Sequence, residues 1–126
     1  MQPIIQRRLE CTAVLLACLA LYGARDHSWG MFAALFFIPD LSLLCYNLSP
    51  RIGGICYNTM HSFLWGTGLG AYAFVSGDIL AEQIGLIWAA HAAFDRAIGW
   101  GLKYSDSFCN TDMGKKTLPV HSDILA

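Results

Sequence analysis

The sequence predicts an all-α membrane protein, a bundle of four transmembrane helices. Three observations carry this. The chain has 126 residues, of which 56% are hydrophobic and 13% charged, against about 25% charged in soluble domains. The charges gather at the ends of long apolar runs. Those runs are each close to the ~20 residues that cross ~30 Å of hydrocarbon. The net charge of −1 gives no global field that would recruit nucleic acid.

The first helix is expected over about residues 4–23. Its Arg7-Arg8 start followed by an apolar stretch has the outline of a signal peptide. Cutting after Ala24 or Gly23 would place Tyr22 or Leu21 at the −3 position, where a small residue is needed, so a retained helix is expected. Arg25, Asp26 and His27 make a polar turn. The second helix follows over 28–48, with Pro39 inside it, and Ser49-Pro50-Arg51 ends it. The third spans 52–75 and stops at Ser76-Gly77-Asp78. The fourth spans 79–102. Residues 1–104 thus form the transmembrane domain and residues 105–126 a polar tail. Helix two has no polar face from Met31 to Ile38, which sets it apart from an amphipathic helix of a soluble bundle.

Orientation follows from the cations. Arg7, Arg8, Arg51, Lys103, Lys115 and Lys116 fall on one side of a four-span chain, and Arg25 alone on the other. The positive-inside rule places both termini and the tail in the cytoplasm. Asn47-Leu48-Ser49 is a formal glycosylation sequon, but it precedes a proline and faces the cytoplasm. The five cysteines show no disulfide or zinc spacing and read as small apolar residues. Gly66 and Gly70 form a GxxxG pattern and Ala89, Ala90, Ala92, Ala93 and Ala97 a second small-residue face. Such faces allow close helix approach and a homo-oligomer.

Ionisable residues inside apolar spans are the functional signal, because each costs about 2.5–3.5 kcal/mol at a helix centre and so turns toward the bundle interior or water. Helix one carries Glu10, helix two Asp40, helix three Tyr57, Asn58 and His61, and helix four His91, Asp95 and Arg96. At ~1.5 Å rise per residue, Asp40 lies about 12 Å from its cytoplasmic helix end, His61 about 14 Å and His91 about 16 Å. Asn58, Glu10 and Asp95 lie about 9–10 Å deep. A single layer is predicted. Tyr57 and Asn58 share a face with His61, and His91 shares one with Asp95 and Trp88. Arg96, about 100° around, is expected to snorkel or to pair with a carboxylate.

Asp40, His61, His91 and Asp95 are therefore the candidate catalytic residues of an acid–base site. Glu10, Tyr57, Asn58, Trp88 and Arg96 are candidate substrate-binding residues. The substrate is a small lipophilic molecule, and the reaction an isomerase or cyclase type. The alternative is a non-enzymatic membrane protein, a structural subunit or a proton or small-solute conduit, whose polar cluster fixes helix packing. The same four residues have metal-binding donor types, but no ligand-spacing motif accompanies them, so no metal and no cofactor is expected.

Several stretches carry a resemblance. Arg8-Leu9-Glu10, Pro39-Asp40-Leu41-Ser42, Tyr57-Asn58 with His61, and Ala90-His91-Ala92-Ala93-Phe94-Asp95-Arg96 are the first of them. Gly99-Trp100-Gly101-Leu102-Lys103-Tyr104 and a tail with Phe108, Thr111 and Gly114 follow. Together these resemble the domain of unknown function 4260 family of small multi-pass membrane proteins. Cys45, Trp100 and Asp112 depart from that pattern. The resemblance implies an architecture and a residue set, without a reaction.

Overall fold

The computed structural model describes residues 2–100 together with residues 110, 111, 114 and 115. The fold is helical. In chain order it runs α1 (Pro3–Ala24), α2 (Trp29–Leu35), a 3-10 helix here called η1 (Ile38–Asn47), α3 (Pro50–Met60), α4 (Phe63–Ser76) and α5 (Ile79–Ala97). Two short strands, Asn110–Thr111 and Gly114–Lys115, pair antiparallel. The remaining tail residues named above, including Lys103, Tyr104, Phe108 and Asp112, lie outside the described residues.

Helix starts follow local chemistry. Ser28, Ser49, Ser62 and Asp78 each accept a hydrogen bond from a backbone N–H in the first turn of α2, α3, α4 and α5, which satisfies one of the orphan donors there. Pro3 and Pro50 stand at the first positions of α1 and α3, where a missing N–H costs nothing. Gly77 ends α4 with φ 74°, the left-handed conformation that glycine adopts without strain. Asp26 takes φ 54° in the first turn of the chain, a region aspartate tolerates better than most residues.

The structure differs from the sequence reading in three helices: the one expected over 79–102 ends at Ala97, with Gly99 at φ 98°, and two others are broken. The stretch expected as one helix over 28–48 divides at Phe36-Phe37, and its second half is a ten-residue 3-10 helix. Pro39 lacks an N–H and disfavours the α conformation in the residue before it. The bonds Asp40 N–H to the Phe37 carbonyl and Leu48 N–H to the Cys45 carbonyl, both 3.0 Å, have the i to i+3 spacing. A 3-10 run of this length is uncommon and marks backbone held by its surroundings. The stretch expected as one helix over 52–75 divides at His61-Ser62, where Ser62 opens α4.

Helix α5 packs against both α1 and α4, and η1 packs against α3. On α1 the buried residues are Cys11, Cys18 and Tyr22, a stripe at helical spacing. The α4–α5 contact is built on small residues. A Cβ on Gly66 would lie 2.8 Å from the Ala89 backbone nitrogen, so Gly66 of the GxxxG pattern is used within the chain. Arg8 donates to the Ala97 carbonyl at 3.0 Å, tying the start of α1 to the last turn of α5. At the opposite end of α5, Arg25 holds Glu82 through two bonds of 2.7 and 2.9 Å. Buried His27 lies 2.9 Å from the same carboxylate and 3.1 Å from Gln83 Nε2. The Glu82 carboxylate holds the Arg25 guanidinium pKa above its ordinary value, chiefly through these hydrogen bonds.

Much of the outer surface is apolar. Phe74 is 92% exposed and Val75 86%, with Leu64, Leu48, Leu44 and Phe37 also on the surface. Trp29–Asn47 is the one stretch among the described residues long and apolar enough to cross a membrane, with mean hydropathy 1.5 and only 11% of it buried.

The η1–α3 contact yields a prediction. A Cβ on Gly53 would overlap the Tyr46 ring at the atoms nearest the chain, so accommodating it requires Tyr46 to shift. Gly53→Ala is expected to destabilise the protein by about 1–3 kcal/mol, read as a lower melting temperature in detergent. Gly68→Ala, at a position with open space around it, is the control and leaves the melting temperature within a degree or two of wild type.

Candidate functional site: a buried Asp–His quartet

The break between α3 and α4 places the first functional side chain. His61 is the residue after the last turn of α3, and its N–H still bonds the Tyr57 carbonyl at 2.9 Å. Its ring lies flat on Tyr57, with centroids 3.8 Å apart. Ring atom Nδ1 is 2.9 Å from the same Tyr57 carbonyl oxygen. A carbonyl only accepts, so Nδ1 carries the proton and Nε2 is the free coordinating atom of the neutral ring.

Three other groups meet that Nε2. Asp40 Oδ1, from η1, is 3.0 Å away. His91 Nε2 is 3.0 Å away, and Asp95 Oδ2 3.2 Å; both belong to α5, one turn apart on one face. His91 Nε2 is in turn 3.2 Å from Asp40 Oδ1 and 3.5 Å from Asp95 Oδ2. One ligand atom from each of the four residues lies within 4.8 Å of all the others. The side chains of His61 and His91 are 2% and 1% exposed, that of Asp95 13%, and that of Asp40 36%. The quartet is thus sealed on three sides and reaches the surface at Asp40.

A supporting layer surrounds it. The Tyr57 hydroxyl donates to Asp95 Oδ2 at 3.2 Å. The His91 ring meets Phe36 edge to face at 4.9 Å, and its Nδ1 is buried without a hydrogen-bond partner. Beside the quartet is an apolar cavity of about 190 Å³. Its walls include Pro39 and Met60, the chain neighbours of Asp40 and His61, and Ile87 and Trp88, one helical turn before His91.

The break in the helix also explains Trp88 and Arg96. Ending α3 at Met60 leaves its last carbonyls without intrahelical partners. Trp65 Nε1 donates to the Thr59 carbonyl at 2.7 Å, Trp88 Nε1 to that of Met60 at 2.6 Å, and Arg96 Nη1 to that of His61 at 3.0 Å. Arg96 also bonds the Ala92 carbonyl and lies 4.6 Å from the Phe63 ring centroid. It is buried. It neither snorkels nor pairs with a carboxylate as expected, because the carbonyls at the break take its donors.

The predicted residues therefore separate into groups. Asp40, His61, His91 and Asp95 come together, with Tyr57 bonded to them. Trp88 and Arg96 stand one step back, on the backbone of the break. Asn58 lines a different groove with Ser62, Trp65 and Gly68. Glu10 is exposed and accepts from Gln6 at 2.9 Å within its own helix, so the single layer does not include it. The sequence reading missed Trp65 and Glu82. Ser62, a helix-opening residue just after His61, was the available signal for the break that Trp65 covers.

These features define a small, predominantly helical protein with an Asp–His cluster beneath an apolar surface. The chain belongs to the family described as Domain of unknown function (DUF4260), which it matches over residues 5–116. No curated protein and no solved structure matches it.

Removing either cap tests the account of the break. Trp88→Phe keeps an aromatic ring, though a smaller one, and orphans the Met60 carbonyl; the lost bond alone is expected to cost about 1–3 kcal/mol. Arg96→Met removes the bond to the His61 carbonyl and is expected to cost at least as much. Urea or thermal unfolding in detergent measures both. Wild-type stability for both variants overturns the capping role.

Proposed function

We propose that this protein crosses the membrane four times and carries the Asp–His quartet as a membrane-embedded reaction centre for a small lipophilic molecule. In this reading α1, α2 with η1, α3 with α4, and α5 are the four spans, two of them broken. The exposed apolar surface of α4 and η1 supports it, since lipid is the solvent that accepts such residues. So does the capping of every carbonyl from Thr59 to His61, because non-helical backbone at membrane depth must be satisfied by protein. The bias of Arg7, Arg8 and Arg51 against Arg25 supports cytoplasmic termini.

The observation that carries the reaction centre is the convergence of four ionisable ends within 4.8 Å, open at Asp40 and flanked by an apolar cavity. Hydrogen bonds that merely fix helix register contribute about 0.6 kcal/mol each in a membrane. Asn or Ser would supply them at lower desolvation cost. Two imidazoles and two carboxylates facing one point are suited to proton handling on a bound molecule, as an isomerase or cyclase needs. The second reading, a polar cluster that only fixes packing, is favoured by one observation. Trp88 and Arg96 brace the same break from α5.

Two experiments follow. In a cysteine-free background, Gln2→Cys and Ser49→Cys are expected to react with a membrane-impermeant maleimide only from the cytoplasmic side, and Ser76→Cys only from the opposite side. Labelling of all three from one side overturns the four-span topology. For function, lipid-soluble extracts of cells expressing wild type and Asp40→Asn are compared. Asp40 lies at the edge of the cluster, so the variant is expected to stay folded and to lose at least one product of the wild type. Indistinguishable extracts, with a lowered melting temperature, favour the packing role and sink the reaction centre.

A further inference from the structure

We infer that the quartet is a metal centre: His61 Nε2, His91 Nε2, Asp40 Oδ1 and Asp95 Oδ2 hold one divalent first-row transition ion, zinc being the best fit. The inference rests on the reaction-centre reading for what the ion does, but not for whether it binds.

The first argument is the geometry of the four atoms. An ion with bonds of about 2.0–2.1 Å in tetrahedral coordination separates its ligand atoms by about 3.3 Å. The separations in the structure are 3.0 Å for His61–His91, 3.0 and 3.2 Å for His61 to Asp40 and Asp95, and 3.2 and 3.5 Å for His91 to the same two. Five of the six edges of the tetrahedron therefore fall within about 0.3 Å of that value.

The second argument is the placement of protons. The Tyr57 carbonyl fixes the proton of neutral His61 on Nδ1, so its Nε2 presents a lone pair; a neutral His91 protonated on Nε2 brings one N–H to three acceptors, His61 Nε2, Asp40 Oδ1 and Asp95 Oδ2, and satisfies one of them. Protonating His61 on Nε2 adds one N–H, which points at one acceptor and leaves the His91 Nε2 lone pair against both carboxylates. Protonating both rings sets two N–H groups against each other across 3.0 Å. Arg96, the nearest other cation, directs its Nη1 to the carbonyls of His61 and Ala92. A single cation at the centre satisfies all four atoms at once.

The third argument is the layer around the ligands. Metal-binding imidazoles usually donate their other N–H to a carbonyl or carboxylate, and ligating carboxylates are themselves hydrogen-bonded. His61 donates to the Tyr57 carbonyl, and the Tyr57 hydroxyl donates to Asp95, whereas Nδ1 of His91 lies buried without a protein partner. Tyr57 therefore orients two of the four ligands. The donor set of two imidazoles and two carboxylates, without a thiolate, suits zinc over copper(I) or an iron–sulfur cluster. Four protein ligands fill a tetrahedral ion, so a bound water, which would supply a base at neutral pH, requires a fifth position on the exposed side or release of Asp40, the outward ligand.

The test uses the full-length protein in detergent, stripped with a chelator and equilibrated with Zn²⁺ or Co²⁺, then desalted. About one Zn²⁺ per chain is expected to remain, and Co²⁺ is expected to give the intense visible bands of a four-coordinate site. His61→Gln with His91→Gln is expected to retain at least tenfold less. Wild-type protein that keeps no more Zn²⁺ than this double variant overturns the metal centre. So does a Co²⁺ spectrum without four-coordinate bands, a result that needs no variant to fold. Azide added to the Co²⁺ form separates the two proposals. A shifted spectrum shows an open position and supports the reaction centre. Bound Co²⁺ with an unmoved spectrum leaves the metal inference standing and overturns the reaction centre.

Discussion

The position of His61 Nε2 constrains more of this structure than any other atom. Its three partners come from two other segments, η1 and α5, and it meets them only because α3 ends one residue earlier. A continuous helix through residue 61 would carry the following backbone along the α3 axis. The break instead turns the chain into α4 and leaves the carbonyls of Thr59, Met60 and His61 open. The bonds from Trp65, Trp88 and Arg96 offset that loss. Two of these three donors stand on α5 in the same stretch as His91 and Asp95. One helix surface therefore supplies half of the quartet and most of the braces that let the other half approach.

This dependence explains what could be read from the sequence. Membrane cost flags an ionisable residue in an apolar run without any knowledge of the fold, and it singled out Asp40, His61, His91 and Asp95. Helical spacing paired His91 with Asp95 because i and i+4 share a face. The two breaks were harder. Pro39 announced a disturbance, but not a 3-10 run to Asn47, which depends on packing against α3. At His61 no glycine or proline interrupts the apolar pattern. Ser62 was the sole local sign, and a serine inside a helix is common. Non-local bonds were not legible at all: Arg25 and Glu82 are 57 residues apart.

The errors over Glu10 and Arg96 have opposite causes. Glu10 sits exposed in the first half of α1, where its carboxylate accepts from Gln6. The rule that buries intramembrane charges did not apply to it. Arg96 was expected to leave the interior, because a guanidinium is costly to desolvate. The interior held a stronger attraction, the unpaired carbonyls of a broken helix. Buried arginine bonded to backbone oxygen retains much of its hydrogen bonding, and the Phe63 ring accepts its flat face.

The quartet is also uneven in how firmly each member is held. His91 and Asp95 project from the middle and last turns of α5, a regular helix packed on α1 and α4. His61 is fixed by the stacked Tyr57 ring and by two bonds to the Tyr57 carbonyl. Asp40 alone stands on a 3-10 segment, whose hydrogen bonds have poorer geometry than those of an α-helix, and it alone faces outward. Displacing Asp40 breaks fewer good bonds than displacing any of the other three. The 3-10 backbone thus lies at the exposed edge of the cluster and the regular helices behind it.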